Sequence, residues 1–236
     1  MNQIVDEMQK YYGKRAPVYD ASMGYDSRRT VERLAPVIDL IKNLLRGRSV
    51  LEIACGPCFW TDQVSSAVSS IMATDYNAST LVEARRKALN WGKVTLQVAD
   101  AYDLPAFPMT FDACMAVDWF AHVPRSRFHE FLRSIHRKLV RHSTVVFCDQ
   151  LPGSHSLTGV RDTEGNHLQE RTLPDGSRYR VIKHYLTDDE YRSLLSSYSN
   201  SIEIRRFDEC RRVVVSCHLD GEQSAPADVL THATEH

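Results

Sequence analysis

Hydrophobic and polar positions along this chain alternate with two different periods, and the switches between them outline its elements. Ile4, Val5, Met8 and Tyr11 fall at helical spacing, so residues 3–12 predict a short N-terminal helix. Residues 28–46 repeat the pattern more strongly, with Val31, Leu34, Ile38, Ile41 and Leu45 on one stripe and Gly47 placed to end it. Short apolar runs then take over. SVLEIA (49–54), SIMATD (70–75), VTLQVAD (94–100), the strand within FDACMAVDWF (111–120) and STVVFCDQ (143–150) read as five strands. Helical stretches separate them, from Phe59 to about Val68, over 79–89 and over 125–139.

Alternation of strand and helix from 49 to 150 favours an α/β architecture, a mainly parallel sheet with helices on both faces. Ligands of such sheets bind beyond the carboxyl ends of the strands, at the switch point. After residue 150 the rhythm changes. Residues 151–185 are rich in turn formers, with Pro174-Asp175-Gly176 between two mixed stretches, and read as a hairpin or lid inserted after the fifth strand. Thr187 to Glu190 matches a capping box before YRSLLSSY. Strands near 202–207 and 212–217 would complete the sheet. The segment 221–236 has little apolar content and reads as a disordered tail, leaving 1–220 as one domain.

Composition narrows the function classes. A chain of 236 residues, 43% hydrophobic, suits one globular domain with a substantial core. Its 29 basic and 30 acidic residues nearly cancel, which argues against a nucleic acid or an anionic membrane as partner. No apolar run approaches the roughly 18 residues of a membrane span. The opening MNQIVDEMQKYYGKR has no apolar signal core, so a cytoplasmic protein, monomer or homodimer, is expected. The six cysteines do not form a secreted disulfide framework.

Candidate chemistry centres on VLEIACGPCFWT (50–61), where a strand ends, the backbone turns at Gly56 and a helix begins. Such a turn lets a ligand approach the main chain and meet free N–H groups. Asp75 ends the second strand nineteen positions after Gly56, the spacing at which a carboxylate accepts from ribose hydroxyls. Asp100 ends the third strand, where it can accept from an adenine amino group or serve as a turn residue. The fourth strand delivers Asp118, Trp119 and His122 to the same edge. His122 is a candidate base because imidazole titrates near neutrality; its alternative is packing beside Trp119.

These stretches, LEIACGP, ATDYN, VADAYDLP and FDACMAVDWFAHVP, resemble in order the class I S-adenosylmethionine-dependent methyltransferases. YYGKRAPVYD looks like the N-terminal segment of the family's bacterial small-molecule members. The resemblance covers residues 11–150 and is weaker from 180 to 218. It implies a Rossmann-like, doubly wound, seven-stranded sheet with an N-terminal helical cover over residues 1–27. It also implies S-adenosylmethionine as cofactor and a small-molecule substrate methylated at O, N or S. By resemblance, Glu52 would support the methionine end, and Ala54 and Gly56 would line the backbone path. Asp75 would hold the ribose, with Tyr76 against the adenine and Asp100 and Ala101 reading its edge. Asp118 and Trp119 would flank the methionine or the substrate, and Tyr12 and Tyr19 would lie on the cover.

The family's glycine-x-glycine-x-glycine here reads Ala54-Cys55-Gly56-Pro57-Cys58. Pro57 removes an N–H donor, and Cys58 is expected to add bulk where the helix meets the ligand. Those residues also spell a C-x-x-C at a helix start, the arrangement of thiol–disulfide oxidoreductases. Three alternatives therefore stand beside the small-molecule methyltransferase. They are a quinone-type carbon methyltransferase, a binding protein that keeps the fold without catalysis, and a redox protein. His155, His167, His184 and Tyr185, with Arg171, Arg178 and Arg180, lie in or beside the insertion as candidates to face a substrate or merely water.

Overall fold

The computed structural model describes residues 3–153 and 159–219; His155 and the 221–236 tail lie outside them. Five strands follow the expected order: β1 (Ser49–Ile53), β2 (Ser70–Asp75), β3 (Val94–Val98), β4 (Phe111–Val117) and β5 (Leu139–Gln150). An antiparallel hairpin, β6 (Leu168–Thr172) and β7 (Arg178–Ile182), comes next, before β8 (Ser201–Phe207) and β9 (Arg212–His218). The seven-stranded sheet runs β3-β2-β1-β4-β5-β9-β8. The first five strands are parallel, and β9 is antiparallel to both β5 and β8. Strand order reverses between β1 and β4, which is where the carboxyl ends open a crevice.

Alternation along β1 divides the core into two layers. Val50 faces a cluster with Leu34, Val37, Ile38 and Ile41 of α3 (Arg28–Leu44), Trp60 and Val64 of α4 (Phe59–Ser65), and Leu81 of α5 (Ala78–Arg85). Leu51 and Ile53 face the other cluster, with Phe128, Phe131, Leu132 and Ile135 of α6 (Phe128–His136) and Tyr191 and Leu195 of α7 (Asp188–Leu195). Each such side chain contributes about 1.5–3 kcal/mol by leaving water. The capping box at α7 is present in full, with Thr187 and Glu190 bonding each other's backbone N–H.

The expected helix over 125–139 is shorter. A 3-10 turn takes up Arg125–Arg127, and β5 starts at Leu139 rather than 143. The basic stretch 139–142 is mainly exposed and pairs irregularly with β4, so its side chains carry little period to read.

The cover is two-part. α1 (Gln3–Arg15) buries Ile4, Val5, Met8 and Tyr11 against Leu168, Leu173, Val181 and Ile182 of the hairpin. Glu7 accepts from the Arg180 backbone N–H at 2.5 Å and pairs with its guanidinium at 3.0 Å. A short helix, α2 (Tyr19–Met23), then leads back to the sheet. No helix among the described residues is long and apolar enough to cross a membrane.

Candidate active site

The turn after β1 is backbone held in the left-handed region at Ala54, Gly56 and Cys58, with φ of 52°, 57° and 65°. Two of these are not glycine, and each such residue costs on the order of 1 kcal/mol or more. Asp75 organises the turn. Its carboxylate accepts from the Gly56 N–H at 3.1 Å and the Asn77 N–H at 2.8 Å. Burial pushes its carboxyl up to about 6, against the pull of those two bonds. The nineteen-residue spacing thus has a direct physical meaning: the carboxylate at the end of β2 ties down the turn at the end of β1.

One elongated cavity opens at these strand ends, about 890 Å³ with its mouth. Tyr12, Tyr19, Ala54, Gly56, Asp75, Tyr76, Asp100, Ala101, Asp118, Trp119 and His122 all line it. Asp100 accepts from the Tyr102 N–H at 2.9 Å, and Tyr76 is half exposed at the rim. Glu52 is the exception. It lies beneath the turn, 1% exposed, and accepts from Thr61 Oγ1 of α4 at 2.7 Å. Burial raises its carboxyl to about 8, so it is neutral at pH 7.

Thr80, Tyr102 and Trp119 also line the cavity, and each holds a buried polar atom without a hydrogen-bond partner: Thr80 Oγ1, Tyr102 OH and Trp119 Nε1. Thr80 and Tyr102 were not legible as site residues. Met8 and Gln9 of α1 also reach the cavity, and helical spacing alone marked Met8 only as core.

His122 sits in a 3-10 turn beyond β4 and is 5% exposed. Its Nδ1 is 2.5 Å from the Ile182 carbonyl, which can only accept, so Nδ1 carries the proton. Nε2 is then the lone-pair nitrogen, and it accepts from Tyr12 OH at 3.0 Å. Burial and the nearby Lys183 hold His122 well below the usual imidazole range, hence neutral. Burial pushes the Tyr12 phenol the other way, above its usual range.

A second cavity adjoins the first and shares Tyr12, Tyr19, Asp118 and His122 with it. Arg15, Arg171, Lys183 and Gln150 line the rest, with Tyr11 and Met23. Of the insertion's arginines only Arg171 reaches this cavity; Arg178 and Arg180 pair with Glu170 and Glu7 on the outside. His184 and Tyr185 border a separate outer pocket, and His167 borders neither cavity. Arg15 and Lys183 went unnoticed in the sequence because nothing local marks them.

One expectation about the cysteines is corrected. Cys58 is fully buried in the α3/α4 layer and does not line the cavity, because its left-handed backbone turns the thiol into the core. Cys55 is 8% exposed and burial pushes its thiol well above the ordinary range. Disulfide exchange is favoured by the opposite shift, and both thiols of the turn are buried. Among the described residues no group of His, Cys, Asp and Glu could hold a metal ion.

Comparison with known proteins follows this geometry. Residues 50–142, which carry β1 to β4, match a family model described as a methyltransferase domain. The DhpI–SAM–HEP complex shares the fold at 26% identity and a TM-score of 0.75, over 92% of this chain and 98% of that one. The DhpI–SAH complex does so at 25% and 0.72, over 94% and 100%. A phosphoethanolamine N-methyltransferase from Haemonchus contortus, in complex with phosphoethanolamine and S-adenosylhomocysteine, has the same fold at 16% identity and 0.67, over 93% of this chain and 50% of its own. A search of curated protein sequences finds no match. A methyltransferase domain across the strands that build the crevice, in a fold shared end to end with SAM- and SAH-bound proteins, makes this chain an S-adenosylmethionine-dependent methyltransferase, consistent with class I.

Proposed function

We propose that the enzyme methylates an O, N or S atom of a small molecule that carries an anionic group, and that His122 takes up the proton released. One observation carries this reading. The cavity that adjoins the cofactor cavity holds Arg15, Arg171 and Lys183, none of them in an ion pair among the described residues. Lys183 is 2% exposed. Arg15 and Arg171 are half-buried, and Lys183 has Asp149 within electrostatic reach, yet the wall itself carries three cations against the one carboxylate of Asp118, an excess that an anionic substrate would neutralise. The fold neighbour crystallised with phosphoethanolamine, a phosphate ester, is in keeping with this class.

The residues around the first cavity fit S-adenosylmethionine. Asp75 retains lone pairs toward the cavity for ribose hydroxyls, and Tyr76 and Ala101 offer flanking surfaces for the adenine. Asp100 would accept from the adenine amino group. Ala54 and Gly56 give the ligand its close backbone approach, while Glu52 acts from below by fixing Thr61. Asp118 and Trp119 would flank the methionine end. Tyr12 and Tyr19 close the cavity from the cover and keep water out.

Bound there, the cofactor supplies a methyl group that is already electrophilic. The chain's task is then orientation, which contributes about 7–11 kcal/mol in favourable cases. The cations seat the anionic group so that the nucleophilic atom lies at the junction of the two cavities. There the Tyr12 hydroxyl can accept the substrate proton as it passes its own to His122 Nε2. Ile182 keeps the ring in the tautomer this requires.

The test is label transfer from methyl-tritiated SAM into fractionated metabolites, RNA and protein, with the metabolites divided by anion exchange. Label in an anion-exchange-retained small molecule is expected. Label found only in RNA, only in protein, or only in neutral and cationic metabolites overturns the reading.

A further inference from the structure

Asp118 is the one carboxylate on the wall of the substrate cavity, and its charge opposes the three cations there. It does not stand alone. Arg212, the first residue of β9, donates through Nη1 to Asp118 Oδ1 at 2.5 Å, and the two side chains are 5% and 6% exposed. The second carboxylate oxygen accepts from Tyr25 OH at 3.3 Å. Tyr25 in turn accepts from Arg212 Nη2 at 3.2 Å and from Trp60 Nε1 at 3.1 Å. Arg212 itself does not line the substrate cavity; it lies behind Asp118 and borders an outer pocket. An anion in the substrate cavity therefore meets Arg15, Arg171 and Lys183 directly, and meets Arg212 only through Asp118.

We propose that Arg212 sets the enzyme's preference for anionic substrates, by cancelling the Asp118 charge at the point where the two cavities meet. This rests on the anionic-substrate reading above. With the pair intact, the wall presents three positive charges and a neutral ion pair. Without the guanidinium, a buried carboxylate would face the substrate's anionic group. Asp149 is the other carboxylate nearby, within electrostatic reach of Lys183. It is 2% exposed, accepts from the Ala121 N–H and Tyr191 OH, and is not on the wall; Asp118 and Arg212 act on it in opposite directions, so the intact pair leaves it nearly undisturbed. Arg212 is thus a positioning and specificity residue that touches neither substrate nor cofactor.

Inorganic phosphate is the probe, titrated calorimetrically into the full chain saturated with S-adenosylhomocysteine. Arg212→Gln should weaken phosphate binding roughly tenfold or more, the effect of one uncompensated charge at this range. Arg212→Lys should keep it within about threefold of wild type, since the charge is retained. Asp118→Asn together with Arg212→Gln should restore it to the same range, because both charges are gone. Asp118→Asn alone should tighten it by at least about threefold, and this variant reads the proposal even if Arg212→Gln does not fold. An equal loss in Arg212→Gln and in the double variant, or no tightening in Asp118→Asn, overturns the proposal and leaves the anionic reading standing. Wild type that binds no phosphate at tens of millimolar, about the weakest affinity such titration reads, overturns the anionic reading and the proposal with it.

Discussion

Tyr12 OH and His122 Nε2 meet at 3.0 Å, joining a cover helix to the turn beyond the fourth strand across 110 residues. The other ring nitrogen is engaged by the hairpin at Ile182. His122→Ala should therefore lower kcat by about 10²–10⁴-fold with little change in SAM affinity. Tyr12→Phe should lower kcat less, since Nε2 remains a base. Stopped kinetics with parallel SAM titration separates the two effects. Turnover unchanged in His122→Ala would reduce the residue to a clamp for the hairpin.

The depressed His122 and elevated Asp75 shift in opposite directions, and each gives an acid limb, one in kcat and one in SAM affinity. A histidine held below its usual range stays an unprotonated base as pH falls, so the acid limb of kcat should lie below pH 6.5. Asp75 titrates near 6 and must be ionised to accept from two ribose hydroxyls. SAM affinity should be full above pH 6 and fall as pH drops through it. Asp75→Asn should abolish that dependence, and Asp75→Ala should cost on the order of 1.5–3 kcal/mol of binding. A flat pH profile in wild type would show that Asp75 does not hold the ribose.

Glu52 makes a stability prediction. Its folded value near 8 exceeds that of an unfolded glutamate, so it contributes stability at low pH that is lost as pH rises toward 8. Between about pH 4.5 and 8 the loss approaches 1.4 kcal/mol per pH unit. Glu52→Gln should flatten that slope in denaturant titrations at stepped pH. Equal slopes in the two proteins would mean that Glu52 is ionised beneath the turn.

Cys58→Gly tests the turn itself. Glycine adopts the left-handed φ without strain, which offsets the loss of a small buried thiol. SAM affinity should stay within about twofold, because the thiol points into the core and not toward the ligand. A tenfold gain in affinity would restore the view that Cys58 narrows the cradle.

The strand order and the Gly56–Asp75 relation were legible because both are written locally, as apolar runs and as a fixed spacing along one β-α-β unit. The substrate side was not. Arg15 and Lys183 come together only because the hairpin folds back over α1, a contact that no local period announces. Arg171 and Arg178 looked equivalent, yet the β6–β7 register sends one to the cavity and the other to solvent. The direction of Cys58 depended on a backbone angle that the glycine pattern does not specify.

The two-part cover has a kinetic consequence. Its halves are far apart in sequence, with Glu7 and Arg180 separated by 173 residues. Closing so long a loop carries an entropic cost that only the finished sheet between the halves can reduce, by bringing them near each other in advance. The cavity roof is therefore among the last features to form in folding and among the first to open. A refolding chain should acquire its sheet before it can retain a cofactor, with amide protection in β1 and β4 preceding that in α1 and β7.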